Sequence, residues 1–276
     1  MQSNLRNNLA KKLAKEHPNV YSILSKVYRL YIRFCYILLV PKVAICKKVF
    51  SHSQKLMVNI GGGIWYKRNW KVLDFQSEWY SYNRLFIDYD YDLTKREKMP
   101  FEDNSVDLFY SEHTFEHVSD RDCEHVLAEM YRCLKPGGAV RIVVPDMDLA
   151  YTKYANADEK FFEVWIKTHK ATLTEAFMII FARPKRNECE ESIRRRFENL
   201  EKGEFFNFYT KDLRQDPKYA GYHINWFIYS KLERMLKEAG FQKVYKSTSQ
   251  GSRFQEMRGK GFDTRPSWSL HVEAIK

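Results

Sequence analysis

The stretch Leu56-Met-Val-Asn-Ile-Gly-Gly-Gly63 decides the fold of this chain of 276 residues. A mostly apolar run that stops on three consecutive glycines is typical of a buried parallel strand whose carboxyl end meets a ligand. The glycines remove every side chain at the point where a ligand must approach the backbone. Several kinds of nucleotide ligand use such a turn, so the run by itself leaves the ligand open.

The composition is that of a globular chain that can bury one large core and an appendage, or at most two domains. Its five cysteines are odd in number and widely spaced, and none forms a C-x-x-C pair. This pattern argues against a disulfide framework and against a zinc knuckle. We therefore expect reduced thiols and a cytoplasmic protein.

The positive charge is concentrated at the start of the chain. Residues 1–55 carry eleven Lys or Arg and one acid, whereas residues 56–276 carry 35 basic and 34 acidic side chains. A basic fold would favour nucleic acid, but a basic leader on a neutral body favours docking to an anionic surface or an acidic partner. Nucleic acid is therefore an unlikely partner, and contact with an anionic membrane through residues 1–55 is the more attractive hypothesis.

The leader, residues 1–55, is expected to contain an amphipathic helix over about residues 21–40. Its longest apolar run spans eight residues, 34–41, whereas a bilayer span needs about 20. Three interpretations stay open: packing on the domain, attachment to a membrane surface through basic and aromatic residues, or docking of a partner. The leader also lacks a signal-peptide cleavage pattern, because its apolar part lies too deep in the chain and is followed by Lys47-Lys48.

From residue 56 onward, strands and helices alternate. This pattern predicts an α/β fold with a doubly wound, mostly parallel seven-stranded sheet over residues 56–276. A helix is expected to begin at a capping box of Ser119 and Asp122 and to end before Lys135-Pro-Gly-Gly138, and a second helix is expected at 229–239. The predicted strands are 56–60, 71–75, 85–89, 106–110, 139–144, 241–246 and 269–275.

A long insertion at about residues 146–222 interrupts this alternation. It is rich in aromatic residues, and helical insertions of this kind form lids or acceptor pockets at the carboxyl edge of a sheet. The cluster Arg194-Arg195-Arg196 is either a solvated helix face or a site that recognises a phosphate or sugar acid.

Four predicted strand ends carry residues suited to a nucleoside cofactor, which an open parallel sheet binds at this edge. Asp74 is placed to accept the hydroxyls of a ribose, and Asp92 with Leu93 could receive an adenine. The four groups, in chain order, are Gly61, Gly62 and Gly63; Asp74; Asp92 and Leu93; and Ser111, Glu112 and His113.

Over residues 56–150 and 221–275 the chain resembles the class I S-adenosylmethionine-dependent methyltransferases, and among them small bacterial members with an Asn-x-Gly-x-Gly first motif. The segments that carry the resemblance are Asp92-Leu93 leading to Met99-Pro-Phe-Glu-Asp-Asn-Ser-Val-Asp107, then Ser111-Glu-His-Thr-Phe-Glu-His-Val118, then Leu134-Lys-Pro-Gly-Gly138.

The resemblance implies a Rossmann-like fold and S-adenosyl-L-methionine as the cofactor. It places Gly61 and Gly63 beneath the methionine part, Asp74 at the ribose and Asp92 with Leu93 at the adenine. Ser111 and His113 would lie near the reacting methyl group.

The sequence departs from the family pattern around the first strand. Asn59 replaces the usual acid, Trp65 occupies the third glycine position, and about ten residues separate Gly63 from Asp74, too few for a full first helix. Asn59 can still accept a hydrogen bond from the cofactor's ammonium through its amide oxygen.

Transfer to a hydroxyl requires a group that removes its proton. His113 is the first candidate and His223 the second, with a packing or hydrogen-bonding role as the alternative for each. Glu116 and His117 are expected to anchor the turn that follows the fourth strand. His113-Thr-Phe-Glu-His117 also fits the H-x-x-E-H pattern of inverted zinc peptidases, but its position directly after a buried strand argues against a regular helix, so no metal site is predicted.

The sequence therefore predicts a cytoplasmic O-methyltransferase, peripheral at the inner membrane face, that acts on a cell-envelope glycan or lipid-linked sugar. The alternatives are an RNA or protein methyltransferase, or a scaffold that binds the cofactor without catalysis. The acceptor, the methylated atom and the oligomeric state stay open.

Overall fold

The computed structural model describes residues 20, 54–76, 86–182, 188–211, 213 and 222–276. All of them except Val20 lie in the second of two compact units, His52–Lys276. The predicted leader helix lies outside the described residues. Among the helices of the described part of the chain, none has both the length and the apolar character needed to cross a membrane.

Seven strands form one sheet in the order β3-β2-β1-β4-β5-β7-β6. Strands β1 to β5 run parallel to one another, and β7 runs antiparallel to both β5 and β6. This confirms the predicted seven-stranded, mostly parallel sheet. The strands are β1 Met57–Ile60, β2 Trp70–Asp74, β3 Tyr89–Asp90, β4 Val106–Glu112, β5 Leu134–Pro145, β6 Lys243–Ser247 and β7 Ser269–Ile275.

Two strands are longer than the sequence pattern indicated. β4 continues through Ser111 and Glu112, and β5 begins at Leu134 and includes the whole of Lys135-Pro-Gly-Gly138. The link between β1 and β2, residues 61–69, consists of turns without a helix. The link is short: nine residues are too few to leave the sheet edge, complete a helix and return to the start of the next parallel strand.

The two helices that the capping signals and the apolar spacing predicted, from Ser119 and at 229–239, are both present. Ser119 caps the first one by accepting a hydrogen bond from the Asp122 N–H at 3.3 Å. In the described part of the insertion, five helices, α2 to α6, lie between β5 and α7. The helices are α1 Asp120–Cys133, α2 Met147–Ala155, α3 Glu159–His169, α4 Leu173–Phe181, α5 Glu190–Asn199, α6 Lys202–Thr210 and α7 Tyr229–Glu238.

The two faces of the sheet have different covers. Val126 and Leu127 of α1 and Leu232 of α7 pack with Val58 and Phe109 in the main core. On the opposite face, Met257 and Phe262 pack against Met57, Trp70 and Tyr110. The insertion has its own core, in which the rings of Phe177, Phe181, Phe205 and Phe206 are fully buried.

A buried ion network fastens the segment 248–268 to the sheet. The guanidinium of Arg141, on β5, is fully buried and donates to both carboxylate oxygens of Asp263, at 3.1 and 2.7 Å. It also donates to Glu273 of β7 at 2.8 Å and to the Thr248 carbonyl at 2.8 Å. Burial alone would lower the pKa of Arg141, but the bonds to these carboxylates outweigh it and raise the pKa.

Replacement of Arg141 by Met should destabilise the fold by about 3–5 kcal/mol, because two buried carboxylates lose their counter-charge. The matched control is Arg234→Met on α7, where the guanidinium pairs with Glu238 at the surface and little should change. Urea unfolding of both variants measures the difference. Equal losses for the two variants would contradict the role of the network.

Candidate active site

A cavity of about 480 Å³ lies at the carboxyl ends of β1, β2 and β4. A larger cavity of about 700 Å³ lies beside the start of α1, but the first one gathers most of the predicted site residues. Its lining consists of Gly61, Gly63, Asp74, Phe75, Tyr91, Asp92, Leu93, Thr94, Glu112, His113, Thr114, Glu116, His117, Val118, His223, Arg265 and Trp268.

The glycine turn forms one wall of this cavity as bare backbone. Gly61 has a φ of +69°, and a Cβ added there would lie 2.2 Å from Oγ1 of Thr114. The Gly61 N–H donates to the Leu73 carbonyl at 2.9 Å, which fixes the turn on β2. Only glycine fits at this position.

Asp74 lies at the end of β2 and holds the turn from the other side. One carboxylate oxygen accepts from the Gly63 N–H at 2.7 Å, and the other accepts from the Phe75 N–H at 2.7 Å. Burial raises the pKa of Asp74, while these two bonds oppose the shift. Each oxygen has a second lone pair for a ligand hydroxyl.

Asp92 and Leu93 line the same cavity beyond β3. Oδ1 of Asp92 accepts from the backbone N–H of Thr94 at 3.0 Å and from its hydroxyl at 2.7 Å. These bonds fix the loop and orient the carboxylate. The structure thus brings Gly61, Gly63, Asp74, Asp92 and Leu93 to one cavity.

Three predicted residues are not among those that line the cavity: Asn59, Gly62 and Ser111. Ser111 is buried within β4, where its hydroxyl donates to the Ile60 carbonyl at 3.1 Å. Asn59 lies behind Gly62, and its Oδ1 is buried without a hydrogen-bond partner among the described residues. The extension of β4 by two residues explains the position of Ser111.

His113 follows β4 with a φ of +51°, in the left-handed region. Its Nδ1 lies 2.9 Å from Oε1 of Glu116, and its Nε2 lies 2.9 Å from the hydroxyl of Ser269. The Ser269 hydroxyl donates its own proton to the Arg265 carbonyl. Both ring nitrogens therefore have partners, and the ring also lies 4.6 Å from that of Trp268.

His223 reaches the cavity from the segment before α7. Its Nδ1 donates to the Ile180 carbonyl, and its Nε2 lies 3.9 Å from Oε1 of Glu116. Burial lowers the pKa of His223 to about 4, so the ring is neutral near pH 7. Its Nε2 is then a hydrogen-bond acceptor.

Residues 71–142 match the model of a family described as a methyltransferase domain. This stretch, from β2 into β5, is therefore similar to a methyltransferase domain, as the resemblance in the sequence predicted. The search of curated proteins gave no match.

Solved structures of S-adenosylmethionine-dependent methyltransferases are similar to this chain at low identity. One from Archaeoglobus fulgidus is 11% identical, over 93% of this chain and 99% of that one, with a TM-score of 0.43. One from Thermotoga maritima is 16% identical, over 92% and 97% of the two chains, with a TM-score of 0.38. One from Aquifex aeolicus is 14% identical, over 86% and 88%, with a TM-score of 0.36.

The cavity fits S-adenosylmethionine, the cofactor that the resemblance implies, in two respects. Gly61 lines it as backbone without a side chain, and the carboxylate of Asp74 has lone pairs for hydroxyl groups. The volume also lies within the range of small-molecule sites.

Several residues of the cavity were not predicted as site residues. Thr114, Arg265 and Trp268 line it, and Glu116 and His117, expected to anchor a turn, line it too. His113-Thr-Phe-Glu-His117 is not a regular helix, because only Phe115–His117 is helical and that is a single 3₁₀ turn. Arg265 lies within residues 221–275, over which the sequence resembles the family, but that resemblance gave no role for it.

The arginine cluster of the insertion belongs to α5 and is not part of the lining. Arg195 pairs with Glu191 at the surface, while Arg196 pairs with Glu188 and lies over the Phe208 ring. Arg194 donates to the Thr174 hydroxyl at 3.4 Å. These contacts favour a structural role on the helix over a site that recognises a phosphate or a sugar acid.

Gly61→Ala should abolish binding of S-adenosylhomocysteine, the product form of the cofactor, because the new methyl group collides with Thr114. Gly137→Ala is the control, since Gly137 also has a positive φ, +79°, but has open space around it. The control should cost only about 1–2 kcal/mol of backbone strain. Isothermal titration and thermal unfolding measure the two effects.

The double variant Gly61→Ala/Thr114→Gly removes the colliding atoms and should recover part of the binding. Full binding by Gly61→Ala alone would contradict a cofactor that rests on this turn.

Proposed function

We propose that this chain is an S-adenosylmethionine-dependent methyltransferase and that it transfers the methyl group to a hydroxyl of a cell-envelope glycan or a lipid-linked sugar. The observation that carries the proposal is a second cavity of about 620 Å³ beside the first, with Arg265 and Trp268 in the walls of both. Its lining is Lys153, Asp158, Lys160, Phe161, Val164, Trp165, Arg265, Ser267 and Trp268.

The second cavity combines flat apolar rings with cations. The rings of Trp165 and Trp268 are 5.2 Å apart and nearly perpendicular, so they form a corner. Lys160 and Arg265 add positive charge beside it, while Lys153 pairs with Asp158 at 2.7 Å. Aromatic faces suit the apolar side of a sugar ring, and cations suit a phosphate or a sugar acid.

Trp268 connects the two cavities. Its ring contacts that of His113 on one side and that of Trp165 on the other. An acceptor in the second cavity would therefore extend past Trp268 toward the histidines of the first. This arrangement supports a bulky acceptor that presents one hydroxyl to the cofactor.

In this proposal the cofactor occupies the glycine end of the first cavity, with Asp74 at the ribose and with Asp92 and Leu93 at the adenine. The cofactor supplies a methyl group already activated on a sulfonium. The chain's own residues hold the acceptor oxygen in line and accept the proton of its hydroxyl.

The hydrogen bonds favour His223 over His113 as the proton acceptor. Since Ser269 donates to a carbonyl, Nε2 of His113 must donate to Ser269, and its Nδ1 faces the carboxylate of Glu116. We therefore assign His113 a positioning role. Nε2 of His223 is an acceptor in the wall of the cavity.

The positive charge of residues 1–55 supports an acceptor that lies close to a membrane. Eleven basic residues against one acid within residues 1–55 would be attracted to an anionic membrane surface. A lipid-linked sugar at the inner face of the membrane, with the enzyme on the cytoplasmic side, is consistent with this charge.

Mass spectrometry of glycan and lipid-linked sugar fractions, with and without the protein, should reveal a product heavier by one methylene. With that fraction as acceptor, Lys160→Ala and Trp165→Ala should each lower kcat/KM about tenfold, the effect of 1.4 kcal/mol. Both should keep wild-type binding of S-adenosylhomocysteine. Lys167→Ala on the exposed side of the same helix, α3, is the control and should change nothing.

Methylation of RNA or protein by the purified chain, with no methylated glycan, would contradict the proposed acceptor. Cofactor binding without turnover on any fraction would instead favour the scaffold alternative.

A further inference from the structure

The far end of the first cavity holds a compact group of ligating side chains: Glu116, His117 and His223. Their ligand atoms lie within 4.8 Å of one another. Oε1 of Glu116 is 3.9 Å from Nε2 of His117 and 3.9 Å from Nε2 of His223. The two imidazole rings are 4.9 Å apart and nearly perpendicular.

Both imidazoles are oriented by backbone carbonyls. Nδ1 of His117 donates to the Tyr222 carbonyl at 3.0 Å, and Nδ1 of His223 donates to the Ile180 carbonyl. These bonds fix the tautomer that leaves the lone pair on Nε2. Metal-binding histidines are held in this way, with the second nitrogen donating to a carbonyl or carboxylate.

Glu116 supplies a buried negative charge that the described residues do not fully satisfy. Its side chain is 1% exposed, and Oε2 has no hydrogen-bond partner among the described residues. A buried carboxylate oxygen without a partner is costly unless a cation or a hydrogen-bond donor meets it.

The backbone assembles this group before any ligand arrives. The Glu116 carbonyl accepts from the N–H groups of Ile224 and Asn225, at 2.8 and 3.1 Å. These bonds fasten the segment that carries His223 to the turn that carries Glu116 and His117. The site is therefore built from two segments more than a hundred residues apart in the chain.

We propose that Glu116, His117 and His223 bind a divalent first-row transition cation, for which zinc is the best match. Two imidazole nitrogens and one carboxylate oxygen form a ligand set found in zinc enzymes, and three protein ligands leave a position open to the cavity. Ligand atoms around tetrahedral zinc are separated by about 3.3 Å. The two Glu116–imidazole separations of 3.9 Å must therefore contract on binding, and so must that between the two imidazole nitrogens if it approaches the 4.8 Å limit of the group.

This site differs from the H-x-x-E-H pattern considered in the sequence. The pattern pairs His113 with His117, whereas His113 here donates to Glu116 and would support a ligand from outside the coordination sphere. The third ligand, His223, lies far away in the sequence. The proposal thus departs from the sequence-based expectation of no metal site.

The metal site does not rest on the proposed acceptor, because metal binding can be measured without methyl transfer. If both hold, Nε2 of His223 is a metal ligand and the cation takes over its role in the reaction. A hydroxyl bound at the open position would then be more acidic and would release its proton to solvent water.

The test uses the full chain after removal of metals with a chelator. Titration with Co²⁺, which reports its coordination through visible absorption, should give one equivalent bound with the intense bands of a four-coordinate site, and Zn²⁺ should displace it. His117→Ala and His223→Ala should each lose this signal. His169→Ala, an exposed histidine at the end of α3, is the control and should keep it.

Titration with S-adenosylhomocysteine separates loss of metal from loss of fold, since binding at the glycine end should persist in His117→Ala and His223→Ala. Glu116→Gln keeps the shape and removes the charge, and should also lose the Co²⁺ bands. The proposal is overturned if the wild type binds no Co²⁺ at micromolar concentrations, or if folded His117→Ala and His223→Ala bind it as the wild type does.

Discussion

The ion network around Arg141 is the constraint on which the rest of the site depends. A guanidinium buried under the sheet can persist only with its charge matched, and Asp263 and Glu273 match it from two different elements. The Asp263 N–H also donates to the hydroxyl of Tyr110, on β4. The segment that carries Arg265 and Trp268 is thereby fixed to three strands, which places the wall shared by the two cavities.

The site itself combines rigid strand ends with a strained turn. β1, β2 and β4 deliver the glycine turn, Asp74 and His113 to one edge of the sheet. His113 adopts a left-handed backbone conformation there, which costs about 1–3 kcal/mol for a residue with a side chain. Its bonds to Glu116 and Ser269 offset that cost and direct the 3₁₀ turn, with its carboxylate and imidazole, into the cavity.

Periodicity and capping predicted most of the fold, because each of those signals is local. The apolar run before Gly61 and the Ser119 cap gave β1 and α1 nearly to the residue. The β4 boundary was wrong by two residues, since Ser111 and Glu112 are polar and resemble a loop. Ser111 is buried in the strand because its hydroxyl finds the Ile60 carbonyl, a partner invisible in the sequence.

The residues at the glycine end of the cavity could be predicted from the sequence, whereas the group of Glu116, His117 and His223 could not. Gly61, Asp74 and Asp92 follow strands, so a rule about sheet edges brings them together. Glu116, His117 and His223 converge only because the Glu116 carbonyl pairs with the backbone of Ile224. Arg141 likewise pairs with Asp263, 122 residues away. This is a tertiary contact that no local sequence pattern could predict.

The central claim is that the cavity at the ends of β1, β2 and β4 holds the cofactor, with Asp74 at its ribose. Isothermal titration of S-adenosylhomocysteine into the wild type and Asp74→Ala tests it, with Asp103→Ala, at an exposed aspartate paired with Arg132, as the control. Loss of hydrogen bonds to a charged group should weaken binding by Asp74→Ala about tenfold or more, while the control stays at the wild-type Kd. A folded Asp74→Ala variant that binds as tightly as the wild type would contradict the account.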